Sequence, residues 1–85
     1  MSNHDIRATV IRVLETETGY DLARLDPDSD LRAQVDIDSM RYVAISVAIE
    51  NALGIELPIE VMRVRTFNEF MAMVEAEVAR ILAPL

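Results

Sequence analysis

Apolar positions recur with a helical period in three stretches of the chain and lose it in the two stretches between them. Ile6, Val10, Val13 and Leu14 stand at offsets of four, seven and eight, which predicts an amphipathic helix over about residues 5–18. Asn3 or Asp5 falls near its start and Gly19 beyond its end. Residues 39–54 carry two apolar stripes where a surface helix needs one. Tyr42, Ile45, Ile49 and Leu53 form the longer and bulkier stripe, assigned to the core; Met40, Val43, Ala44 and Val47 lie roughly opposite, facing outwards. Gly54 then closes the helix as a left-handed residue. In the third stretch, 66–82, Phe67, Phe70, Met71, Val74, Val78, Ile81 and Leu82 fall on one core-facing side. Thr66 precedes Glu69 by three, a capping box, and Pro84 ends the helix.

The first connection, 19–38, is long for a small domain. Between Tyr20 and Asp38 it holds six Asp and one Pro, with Leu22, Leu25, Leu31 and Val35 as scattered anchors. Asp26, Asp28 and Asp30 alternate like the early ligands of a calcium loop, but Leu31 stands where that loop needs Gly and Ile37 where it needs a bidentate Glu. A short helical turn starting at Asp28 or Ser29 is the better reading. In the second connection Pro58 holds Ile55-Glu56-Leu57 extended and opens a short helix over about 59–64. Arg63 and Arg65 give its end the only local positive density. Together these elements predict an all-α fold: a small four-helix bundle, one domain spanning 1–85, with three main helices and one short one.

Composition narrows the chemistry. With 85 residues, 52% of them hydrophobic, the chain can bury one core and no second. It has no Cys, which excludes disulfides, thiolate metal sites and a cysteine nucleophile. The net charge of −7 argues against nucleic acid, and no apolar run is long enough to insert in a bilayer, so a cytoplasmic monomer is expected. His4, the only His, sits near the terminus, and no base is placed to activate a hydroxyl.

One hydroxyl stands out. Ser39 opens the second long helix directly after Asp38, as a favoured cap residue at a helix end whose free N–H groups suit a phosphate. Taken alone, the pair is an ordinary helix cap. With the rest of the chain, Asp30-Leu31, Asp38-Ser39-Met40, Leu53-Gly54-Ile55-Glu56-Leu57-Pro58 and Thr66-Phe67 stand in an order and spacing that resembles the acyl carrier protein family.

That resemblance implies that Ser39 is the attachment point of 4′-phosphopantetheine and that Asp38 contacts the transferase that installs it. It implies a non-catalytic carrier, whose partners are a phosphopantetheinyl transferase and acyl-loading, condensing or acyl-transfer enzymes. Two departures accompany it. Asp36 occupies a position where the family usually has Gly. The outward stripe of the second long helix, Met40, Arg41, Val43, Ala44, Val47 and Asn51, lacks the family's acids, Glu50 being the only one on the helix. Partners are therefore expected to meet Met40, Arg41, Val43, Ala44 and Val47, with Met62 of the short helix, largely through apolar contact, and the acidic loop to supply a steering field. This pattern points to a free-standing carrier of a specialised pathway, such as polyketide, nonribosomal peptide or modified-lipid assembly, rather than bulk fatty acid synthesis. An unmodified, carrier-like interaction module is the alternative.

Overall fold

The computed structural model describes residues 2–83, so Pro84, read above as the end of the last helix, lies outside the described residues. The elements are α1 (Asn3–Thr18), a 3-10 turn (Leu22–Arg24), α2 (Leu31–Val35), α3 (Ser39–Leu53), a second 3-10 turn (Ile59–Arg63) and α4 (Phe67–Leu82). This is the predicted helical bundle, and among the described residues it has no strand, only an isolated antiparallel bridge between Asp30 and Thr66.

Local chemistry sets the helix ends. Ser2 caps α1, which starts at Asn3, two residues before the pattern predicts: its hydroxyl accepts the Asp5 N–H at 3.2 Å while the Asp5 carboxylate accepts the Ser2 N–H at 3.3 Å. A capping box needs its hydroxyl three residues before the acid, which fixes the start one turn before the apolar stripe. The Ser2 hydroxyl, then its N–H, also holds the Asp5 carboxyl below its ordinary pKa. The predicted box of α4 is present, Thr66 accepting from the Glu69 N–H at 3.0 Å. Gly19 (φ 72°) and Gly54 (φ 67°) take the left-handed conformation that ends α1 and α3.

Three faces meet in the core: Ile6, Val10 and Leu14 of α1, Tyr42, Ile45 and Ile49 of α3, and Phe67, Phe70, Met71, Val74 and Val78 of α4. Tyr42 packs edge-on against Phe70 with ring centroids 6.1 Å apart. Leu22, Leu31, Ile37, Ile55 and Val61 pin the connections to this core. The predicted stripe of α4 fails in its last turn, where Ile81 and Leu82 are 49% and 62% exposed. They border a shallow depression with Leu53 at the end of α3, Ile55 and Val78, where the surface that could cover the stripe ends.

The first connection is more ordered than its sequence suggests. α2 is capped by Asp30, whose carboxylate accepts the Ala33 N–H at 3.0 Å; Asp28 and Ser29 belong instead to a turn built on Asp26. The Asp28 N–H and then the Ser29 hydroxyl hold the Asp26 carboxyl below its ordinary pKa. Gln34 closes the loop on itself by exchanging hydrogen bonds with the Asp26 backbone, both 2.8 Å. The Leu31 N–H donates to the Arg65 carbonyl at 2.7 Å, and the Asn68 amide donates to Asp28 at 2.7 Å, which ties the loop to the start of α4. The short helix before α4 is a 3-10 turn ending at Arg63, one residue earlier than the pattern predicts.

Candidate functional site at the junction of α2 and α3

Three successive residues deliver Ser39 to the surface. Asp36 ends α2 in the left-handed region (φ 56°, ψ 54°), and its N–H and that of Ile37 both donate to the Arg32 carbonyl. A residue with a Cβ loses about 1–2 kcal/mol there, and Asp tolerates it better than most. Asp36 thus takes the conformation that a glycine would adopt most easily. Ile37 then turns into the core, 7% exposed, and anchors the chain immediately before the helix.

Asp38 is extended (φ −81°, ψ 173°) and its carboxylate accepts the Arg41 N–H at 2.8 Å. It is therefore the cap of α3, and Ser39 is the first helical residue rather than the cap the sequence pattern assigned. The left-handed turn at Asp36 and the buried Ile37 set this register. The consequence is chemical: Asp38 supplies the capping oxygen, and the exposed Ser39 hydroxyl is not consumed by it. Ser39 stands in the first turn of a 15-residue helix, whose N-terminal amides favour an anion.

One turn further on, Tyr42 and Arg32 form a polar latch that sequence reasoning missed. Tyr42, 2% exposed, donates its hydroxyl to the Val61 carbonyl. The Arg32 guanidinium lies 4.0 Å over the Tyr42 ring and donates to the Met62 carbonyl, while its Nε is buried without a partner. Burial pushes the Tyr42 phenol above its ordinary pKa, partly opposed by Arg32. The latch joins α2, α3 and the 59–63 turn. A tyrosine inside an otherwise aliphatic stripe was the available signal, because a buried phenol O–H needs an acceptor.

The outward stripe lies where the pattern put it: Met40 is 85% exposed, Val43 and Val47 are each 46% exposed, and Arg41, Ala44 and Asn51 are exposed. Met62 is half-buried, at the edge of an apolar groove that runs between α3 and the second connection. Glu50, the single acid of α3, accepts the Leu57 N–H at 2.7 Å. It holds the second connection against α3. Among the described residues no group of three or more His, Asp or Glu could hold a metal ion.

Residues 8–74 match the phosphopantetheine attachment site family. The chain belongs to that family. It is 32% identical over 76 residues to the acyl carrier protein MbtL of Mycolicibacterium paratuberculosis, covering 88% of this chain and 84% of the relative. It is 32% identical over 59 residues to an acyl carrier protein of Myxococcus xanthus, covering 69% and 75%. A third relative is far longer: over 79 residues, 91% of this chain is 32% identical to a polyunsaturated fatty acid synthase polypeptide of a Thraustochytrium species, of which it spans only 3%. The family's cofactor is a covalently held 4′-phosphopantetheine. The junction suits it, offering a hydroxyl that is solvent-facing, not engaged as the cap and placed at a positive helix end.

Proposed function

We propose that Ser39 carries the 4′-phosphopantetheine and that the chain holds acyl intermediates as thioesters on it. The observation that carries this reading is the division of labour at α3, where Asp38 caps and Ser39 is left exposed. In the attachment step the Ser39 oxygen forms the new P–O bond and its proton passes to a base on the transferase. Adenosine 3′,5′-bisphosphate leaves from coenzyme A. Once attached, the group supplies the thiol that the polypeptide lacks. The chain itself orients the arm and is a substrate of its partners, not a catalyst. Asp38, exposed beside the hydroxyl, is the contact for the transferase.

Met40, Arg41, Val43, Ala44, Val47 and Met62 form the face on which partner enzymes dock. Its apolar character, with Glu50 occupied by the Leu57 amide, favours a specialised polyketide, nonribosomal peptide or modified-lipid pathway over bulk fatty acid synthesis. No described helix is long and apolar enough to cross a membrane, and a cytoplasmic carrier fits that observation. The alternative, an unmodified interaction module, rests on Asp36 standing in place of Gly; Asp36 adopts the left-handed turn that Gly would, which favours the carrier reading.

Incubation with coenzyme A and a promiscuous phosphopantetheinyl transferase, followed by intact mass measurement, tests the assignment. The wild-type chain is expected to gain one phosphopantetheine and Ser39→Ala none. An unchanged wild-type mass, or an equal gain in the variant, would sink it.

A further inference from the structure

Two depressions meet at Met62. One is the apolar groove beside α3, lined in part by Val43, Val47, Leu57 and Val61. The other is bordered by Asp30, Arg32, Met62, Arg63 and Arg65. Three guanidinium-bearing residues from two distant segments of the chain therefore border one hollow, in a protein whose net charge is −7.

Local acids do not use up this charge. Among the described residues Asp30 is the only acid on the rim, and its carboxylate is already the acceptor that caps α2. Glu60 shares a turn with Arg63 but does not line the hollow. Arg32 is turned inward by the Met62 carbonyl and the Tyr42 ring, leaving its buried Nε without a partner. Arg63 and Arg65 are exposed, and among the described residues the one ion pair is Arg80 with Glu77. A strongly acidic chain would pair these arginines cheaply; here they stay open next to an apolar groove.

We propose that this composite face docks an acidic protein surface: a partner helix whose apolar side chains enter the groove beside Val43 and Val47 while carboxylates on its flank meet Arg63 and Arg65. Charge complementarity selects that occupant. Planar guanidinium forks receive carboxylates in a two-point fashion, and a basic partner would be repelled at the same rim. The groove supplies the desolvated contact, Met62 adapts its shape at the boundary, and the arginines choose the partner's sign. What the partner does there rests on the carrier reading; the contact itself does not.

The probes are two synthetic amphipathic peptides with the same leucine-bearing helical face, one flanked by glutamates and the other by lysines. Each is titrated into the intact, isotope-labelled protein and followed by NMR. The glutamate peptide is expected to shift the Val43, Val47, Met62, Arg63 and Arg65 signals and to bind about 10-fold more tightly than the lysine peptide, a preference that shrinks with added salt. The Arg63→Glu/Arg65→Glu double variant, checked for an unchanged thermal midpoint, is expected to reverse the preference. Equal binding of the two peptides, preference for lysine, or shifts confined to residues 19–38 would overturn the proposal. So would inorganic phosphate alone saturating the arginine signals and displacing the glutamate peptide, which would make the hollow a small-anion site. Mass gain of the same wild-type preparation with coenzyme A is read separately. Absence of that gain defeats the carrier reading, and absence of the peptide preference defeats only this one.

Discussion

The two connections that flank α3 use charge in opposite ways. In the first, Asp21, Asp26, Asp30 and Asp38 each accept a backbone N–H, and Asp28 accepts the Asn68 amide. These carboxylates hold turns and caps in place, and the order they impose ends at Ser39. In the second, the backbone is braced from outside, by Glu50, Tyr42 and Arg32, while Arg63 and Arg65 remain exposed. A charge-rich segment is thus architectural where its acids sit two or three residues before free amides, and available to other molecules where no such amide lies in reach.

Substitutions that separate these two uses sharpen the contrast, and the largest effect belongs to the anchor of the first connection. Ile37→Ala is expected to cost about 2–5 kcal/mol in denaturant unfolding, because it empties a nearly closed position just before Asp38. Tyr42→Phe should cost about 1–2 kcal/mol by leaving the Val61 carbonyl without its donor. It also has a pH signature. The folded phenol titrates above the unfolded one, so its contribution is complete below about pH 10 and is lost as pH rises through the folded value. Wild-type stability should decline in that alkaline window, and Tyr42→Phe should remove that part of the decline.

Asp38→Ala is expected to lose about 1 kcal/mol, most of it restored in Asp38→Asn, which keeps a capping oxygen. Asp36→Gly should gain about 0.5–1 kcal/mol by relieving the left-handed strain. Arg63→Ala and Arg65→Ala should stay within about 0.5 kcal/mol of wild type. Thermal or denaturant melts of this set are decisive: arginine variants as damaging as Asp38→Ala would erase the distinction between the two connections.

The three long helices were legible because each buries one face, and a single buried face leaves a period of 3.6 residues in the sequence. Gly19 and Gly54 were legible because a left-handed terminus selects glycine. What escaped depends on relations that periodicity does not carry. Asp38 and Ser39 are both good caps, and the choice between them is made by the φ of Asp36 and the burial of Ile37. The start of α2 was misplaced because Asp28, Ser29 and Asp30 are all competent to cap, and the bridge to Thr66 favours the last. The latch of Arg32 and Tyr42 joins three segments far apart in the chain, so no local window contains it. Ile81 and Leu82 continue a regular stripe past the end of the surface that could cover it.

Because Asp38 satisfies the amide that a serine cap would otherwise serve, esterifying the neighbouring hydroxyl breaks no bond that the helix relies on. On the proposed reading, a phosphodiester formed at Ser39 would leave this cap in place, so the start of α3 is the same before and after attachment.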